Sequence, residues 1–157
     1  MTRLRPPVDL LSCRLVDGPD DLASHHRIRH QTFVREQRIF AESDVDAQDA
    51  HEDVRHVLGC CGGVPAGTVR LYPLDPARRT WQGDRLAVLP EYRHVGLGAP
   101  LVRFAVATAG RLGGVSMLAH VQVANERFFI RLGWTRLGDV ELYVGRPHLL
   151  MTIALFP

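Results

Sequence analysis

The sequence predicts an α/β fold in which one mixed central sheet, partly antiparallel and partly parallel, is flanked by helices. Three observations carry that expectation. Two apolar runs, 54–61 and 66–72, are joined by Gly62-Gly63-Val64-Pro65, a hairpin signal in which glycine supplies positive φ. Residues 85–121 read as strand, glycine-bearing turn, amphipathic helix and strand, and a right-handed crossover leaves the two strands of such a unit parallel. The whole chain reads strand, helix, three strands, helix, strand, helix, strands, which suits a mixed sheet covered on both faces.

In order along the chain, residues 12–17 read as a short opening strand. A helix follows from Asp21, with Asp20 or Asp21 as its cap and Ile28, Thr32, Phe33 and Gln37 at helical spacing. The acidic stretch from Glu42 to Asp53 has little apolar content and reads as a loop holding one helical turn. After the hairpin runs, Trp81-Gln82-Gly83 leads into a strand over 85–89. Leu97, Leu101, Val102, Ala105, Val106, Ala109 and Leu112 then form one broad apolar face, a helix over 97–111 stopped by Gly113-Gly114. Residues 115–121 form a strand, 125–132 a short helix, and 142–144 and 149–155 the closing strands.

Composition narrows the function classes. The 157 residues fit one domain, 1–157, and 46% hydrophobic with 23% charged residues is ordinary for a globular chain. A formal charge of +2, with no basic cluster interleaved with aromatics, argues against a nucleic-acid partner. Arg3 and Arg5 precede Pro6-Pro7, and no apolar stretch is long enough for a signal peptide or a membrane span. The expected setting is therefore cytoplasmic, without a membrane partner. Three cysteines make no disulfide framework; adjacent Cys60 and Cys61 on a strand face opposite ways and read as structural thiols.

The informative stretch runs from Leu86-Ala87-Val88-Leu89-Pro90 through Arg93-His94-Val95-Gly96-Leu97-Gly98-Ala99-Pro100. It sets a strand, a basic residue and two glycines directly ahead of an amphipathic helix. The glycines let backbone approach a ligand, and the first helical amides have no intrahelical partner, so amides and dipole together suit phosphate oxygens. Pro100 fits the first turn, and Arg93 adds a guanidinium for a pyrophosphate. A helix start with glycines for close packing is the alternative. No Gly-Lys-Ser/Thr follows, so this is not a P-loop, and position 101 lacks the third glycine of a dinucleotide fingerprint.

At Arg93-x-x-Gly96-x-Gly98 the chain resembles the GNAT superfamily, the Gcn5-related N-acetyltransferases, whose acetyl-CoA signature is Gln/Arg-x-x-Gly-x-Gly/Ala. A second block, from Gln122 through Phe129 to Gly133-Trp134, is similar to the superfamily's fifth-strand exit and aromatic-x-x-x-Gly-aromatic ending. Over roughly 27–157, Phe33-Val34-Arg35-Glu36-Gln37, Asp44-x-Asp46-x-x-Asp49, Gly67-Thr68-Val69-Arg70-Leu71 and Gly145-Arg146-Pro147-His148-Leu149-Leu150-Met151 resemble one GNAT branch. Trp81-Gln82-Gly83-Asp84-Arg85-Leu86-Ala87-Val88 and Val121-Gln122 through Gly133-Trp134 are most like the nitrogen-starvation N-acetyltransferase family. The resemblance implies direct acetyl transfer from acetyl-CoA to a small-molecule amine in a ternary complex, and it is compatible with a homodimer. Backbone of Leu86, Ala87 and Val88 would hold the pantetheine arm and polarise the thioester carbonyl. The amides of His94, Val95, Gly96, Leu97, Gly98 and Ala99, with Arg93, would take the pyrophosphate, and Gln122 and Phe129 would line the cofactor.

Two departures bear on chemistry. Phe129 stands where many members place the tyrosine that protonates the departing thiolate, and Gln122 replaces a common asparagine. Gln82 falls near a position where some relatives carry a catalytic glutamate. For the base, Asp84 and His148 are the leading candidates, with His120 third; Asp84 could instead be a surface carboxylate paired with Arg85. Glu36 and Asp46 would line or brace the acceptor pocket. His26 and His30 have zinc-like i,i+4 spacing, but without a His-Glu-x-x-His motif the cluster of His25, His26, His30, His51 and His56 reads as a solvated polar face and no metal is expected. An acyl-CoA-binding sensor with little turnover and a longer-chain acyltransferase remain alternatives.

Overall fold

A computed structural model of the chain describes residues 10–157; Arg3, Arg5 and Pro6-Pro7 lie outside the described residues. Seven strands form one mixed sheet: β1 (Leu11–Leu15), β2 (Arg55–Cys61), β3 (Val64–Pro73), β4 (Thr80–Val88), β5 (Ser116–Gln122), β6 (Thr135–Tyr143) and β7 (Arg146–Ala154). Their order is β1-β2-β3-β4-β5-β7-β6. Helices α1 (Gly18–Arg29), α2 (Gly98–Arg111) and α3 (Glu126–Arg131) accompany them, so the predicted fold class holds. The β4–β5 pair is parallel, from Thr80↔Ser116 to Gln82↔Leu118, as the crossover argument requires. Among the described residues no helix is long and apolar enough to cross a membrane.

The chain divides into two compact units, the first holding residues 10–45, 55–70 and 85–104 among those described, the second 46–54, 71–84 and 105–157. In the first unit β1 and β2 pair antiparallel, and Gly62 (φ 59°) and Gly63 (φ 82°) make the tight turn into β3, so the strand resumes at Val64, earlier than expected. Helix α1 starts at Gly18, not Asp21. Asp17 holds the cap position, while Asp20 and Asp21 fall in the first turn, where their charge suits the helix dipole. The helix then widens into a π-helical coil, His30–Glu36, closed by Gln37 N–H onto Thr32 O at 2.8 Å. Ile28 and Phe33 pack with Leu58 and Ala87, flanked by Val16, Ile39, Phe40 and Leu89.

Two side-chain groups in this unit lie outside what the periodicity predicts. Asp44, 2% exposed, is wedged between Arg29 (Nε to Oδ2, 2.6 Å) and Arg85 (Nε to Oδ2, 3.0 Å). Its carbonyl also accepts from Arg85 at 2.8 Å. His25, expected on a solvated face, is 0% exposed, because His25, Ile28, Arg29, Thr32 and Phe33 recur at helical spacing on the buried side. Its Nδ1 donates to Val57 O (3.1 Å), which leaves Nε2 to accept from His56 Nδ1 (3.2 Å). Burial, then repulsion from His56 and Arg29, lowers the His25 pKa to about 2.

That burial ties stability to pH. The unfolded chain protonates His25 near its ordinary value of about 6.5, whereas the folded chain keeps it neutral down to about 2. Between those values unfolding takes up a proton, so stability falls as pH falls, by up to about 1.4 kcal/mol per unit. Urea titrations from pH 7 to pH 4 should show that slope, and His25→Asn should flatten it. An equally steep slope in the variant would assign the effect to other groups.

In the second unit β5 pairs antiparallel with β7 over Ser116↔Ala154 to Gln122↔His148, and β7 with β6, with an irregularity between Leu137 and Glu141. The β6–β7 hairpin is longer than expected. Its first strand is exposed at nearly every residue, so it lacks the alternation that marks a half-buried strand. Strand β4 also begins five residues earlier than the sequence suggests, with Trp81 1% and Gln82 9% exposed. Among the described residues no group of three or more His, Cys, Asp or Glu side chains could hold a metal ion. The three cysteines are free, Cys60 buried and Cys61 partly so, in accord with opposite faces.

Candidate active site

The glycine-bearing turn is built as a short 3₁₀ helix, Pro90–Val95, that ends on Gly96 with φ 79°. A side chain there would be strained, so Gly96 lets the chain reverse into α2. The first amide of α2 to close a helical bond is that of Leu101, onto Leu97 O at 3.2 Å. Ahead of it, Gly98 and Ala99 have no intrahelical acceptor and Pro100 carries no N–H, so two amides at the positive end of a 14-residue helix make no bond within it. Val95 and Leu97 are buried and anchor the turn on either side of Gly96. Oxygen-rich anions fit this arrangement.

Gly59 of β2 and Gly67 of β3 set how closely α2 approaches. A Cβ at Gly67 would stand 2.8 Å from Ala87 O and 2.8 Å from a Leu101 methyl, and one at Gly59 would stand 2.9 Å from Leu101. Within β4, Arg85 takes a left-handed φ of 53°, a strained value for a non-glycine residue. Its carbonyl accepts from Thr68 Oγ1 at 2.9 Å, and its guanidinium lies 4.7 Å from the Phe40 ring centre. Leu86, Ala87 and Val88 follow directly, Ala87 in the core and the other two partly exposed.

Arg93 is differently placed from a free phosphate ligand. Its Nε donates to Val88 O at 3.1 Å, and its two terminal nitrogens donate to both oxygens of Glu36, one at 3.0 Å. The arginine thus ties the end of β4, the turn and the π-helical coil together. Glu36 is committed to that contact. Asp46 is likewise committed, as the cap of the 3₁₀ turn Ala47–Ala50, accepting from Gln48 N at 3.0 Å. Each carboxylate thus has a protein partner, the kind of contact by which it would brace an acceptor pocket. His94 is exposed beside Arg93.

The second unit collects the candidate proton carriers. Arg85 turns to Asp44, with its Nε 3.0 Å from Asp44 Oδ2; Asp84 meets Tyr72 instead of standing as a bare surface carboxylate. Its Oδ2 accepts from Tyr72 O–H at 3.3 Å, and the same hydroxyl accepts from Gln82 Nε2 at 2.7 Å. His120 stacks flat on Tyr143, 3.9 Å apart and 4° from parallel. The His120 pKa is lowered, by burial first and by His148 second, with Glu141 and Asp84 pulling it up. His148, 6% exposed, sits edge-on to Tyr143 at 5.5 Å. Its Nδ1 donates to Arg146 O at 2.8 Å. Asp84, His120 and His148 therefore form one group, and Tyr72, Tyr143 and Glu141 join it. Nothing in the spacing of β6 pointed to Tyr143.

Gln122 ends β5, in register with His148. Phe129 is 7% exposed and packs edge-on to Trp134 at 5.4 Å and to Phe128 at 5.3 Å. It is part of an aromatic core and supplies no proton.

A family model described as the acetyltransferase (GNAT) family matches residues 22–134. A Bacillus subtilis protein provisionally named an acetyltransferase is 28% identical over 143 residues, spanning 90% of this chain and 95% of the relative. A solved acyl-CoA N-acyltransferase from Pseudomonas aeruginosa superposes with a TM-score of 0.75 at 25% identity, over 90% of this chain and 97% of that one. An aminoglycoside 6'-N-acetyltransferase complexed with coenzyme A superposes with a TM-score of 0.73 over 93% of this chain and 98% of that one. At 15% identity this last likeness is one of fold. The matches support the superfamily and not the narrower nitrogen-starvation branch.

Proposed function

We propose that this chain, which belongs to the acetyltransferase (GNAT) family, moves an acetyl group from acetyl-CoA to the amine of a small acceptor by direct attack in a ternary complex. The observation that carries the reading is the left-handed Gly96 feeding the open amides of α2, directly after β4. The diphosphate of coenzyme A binds the turn from His94 to Ala99, held in shape by Arg93. The pantetheine arm runs along Leu86, Ala87 and Val88, and a main-chain N–H near Ala87 or Val88 polarises the thioester carbonyl. Gln122 and Phe129 complete the cofactor's surroundings in this reading, and residues 1–157 act as one domain.

The amine nitrogen bonds to the thioester carbon, the C–S bond breaks, and the coenzyme A thiolate leaves. Before attack the ammonium must lose a proton. His120 is the acceptor we assign, with Asp84 and His148 beside it. With phenylalanine at 129, water protonates the thiolate, which an ordinary thiol pKa of about 8.5 makes a fair leaving group.

Calorimetric binding of acetyl-CoA, paired with thiol release across a panel of amines, tests the reading. Gly98→Trp places a ring over the open amides, and Arg93→Ala loosens the turn. Each should weaken acetyl-CoA binding by about tenfold or more while the domain stays folded, as circular dichroism checks. Unchanged affinity in both variants would remove the phosphate-site assignment. The buried Phe129 favours a second reading, an acyl-CoA-binding sensor, and tight binding with no thiol release from any amine would select it. A series of acyl-CoA chain lengths separates acetyl transfer from transfer of longer chains.

A further inference from the structure

Several arginines of the first unit are matched to carboxylates: Arg14 to Asp21, Arg29 and Arg85 to Asp44, and Arg93 to Glu36. Arg35 and Arg38 make no such contact with a described residue. Both line an open depression of about 460 Å³ together with Val34, Phe40 and Ala41. Arg35 belongs to the π-helical coil, an irregularity that widens the helix and recurs at functional sites. Arg38 follows at a left-handed φ of 52°, a strained value for a non-glycine residue.

Phe40, on the apolar side of the depression, is the link to β4. Phe40 packs against the cluster that contains Ala87, and its ring lies 4.7 Å from the Arg85 guanidinium, one residue before Leu86. The geometry points to this depression as the acceptor pocket, and to amines that carry a carboxylate and an apolar side group as the acceptor class. This inference rests on the acyl-transfer reading. Two guanidiniums with no carboxylate partner among the described residues attract a carboxylate and can hold it through paired hydrogen bonds. They also disfavour a positive charge nearby, which lowers the pKa of the acceptor's ammonium and raises its neutral, nucleophilic fraction. The carboxylates that would have welcomed an ammonium, Glu36 and Asp46, are turned to Arg93 and to a helix cap instead.

Matched probes test this with the full chain: phenylalanine, phenylalaninamide and phenethylamine, with dephospho-coenzyme A as a control for the cofactor's own 3′-phosphate. Binding of each amine to the coenzyme A-loaded protein is read by calorimetry, and thiol release by initial rates. Phenylalanine should bind about ten to a hundred times more tightly than its amide, and its kcat/KM should exceed the amide's by a similar factor. Arg35→Gln and Arg38→Gln should each collapse that ratio toward one while leaving coenzyme A affinity as it was. Equal binding of acid and amide overturns the inference. So does a loss of coenzyme A affinity in the variants that dephospho-coenzyme A does not share, since the arginines would then hold the 3′-phosphate. Discrimination in binding without thiol release from any probe would sustain the pocket and sink the transferase reading.

Discussion

Asp44→Ala should lower the free energy of unfolding by about 3–5 kcal/mol, a large part of the stability of a domain this size. The carboxylate is 2% exposed, and it is shared by Arg29, 0% exposed, and Arg85, 8% exposed. Removing it takes the shared carboxylate away from two desolvated guanidiniums. Asp44→Asn keeps the shape and one acceptor oxygen but not the charge, so it should recover only a minor part of the loss. Chemical denaturation of the three proteins measures the effect. A cost under about 1 kcal/mol for the alanine variant would mean that water reaches the pair. The loss should reach β4 as well, because Arg85 holds its left-handed conformation partly through this contact.

His120→Asn should reduce kcat/KM by about 10²–10⁴, the usual contribution of a positioned base. The pH profile gives the sharper test. With its pKa held below the ordinary value of about 6.5, His120 stays neutral, and able to take a proton, in mildly acid solution. The acid limb of the kcat/KM profile should therefore fall below pH 6.5. Asp84 raises the His120 pKa and His148 lowers it. Asp84→Asn should thus move the limb further down, and His148→Asn should move it up. A limb that ignores all three substitutions would take His120 out of the proton path.

Much of the sheet is legible in the sequence because its signals are local. The two glycines of the β2–β3 hairpin sit next to each other, and the strand, turn and helix around Arg93, Gly96 and Gly98 are contiguous, so periodicity and turn chemistry suffice. The charged core is not local. Arg29, Asp44 and Arg85 come from a helix, an acidic loop and a strand, and nothing in the low apolar content of residues 42–53 marks one aspartate as buried. His25 is missed for a related reason: a histidine at the head of an apolar stripe looks the same whether the stripe starts before it or after it. Arg93 is legible as a position and not as a role. The motif locates it, yet only the fold reveals that Glu36, 57 residues earlier, occupies its terminal nitrogens. Tyr143 stayed hidden because β6 carries no pattern that distinguishes its one aromatic from the exposed residues around it.

The absent side chains at Gly59 and Gly67 act as a gauge for the distance between sheet and helix. Any methyl group added at Gly67 presses at once on the carbonyl of Ala87 and on Leu101. The displacement would be delivered to the two places we propose as the grip on coenzyme A, the edge of β4 and the head of α2. A geneticist screening for variants that fail to bind acetyl-CoA would then recover changes on β2 and β3 that touch no ligand, and a map drawn from ligand distance alone would misfile them as mere folding defects.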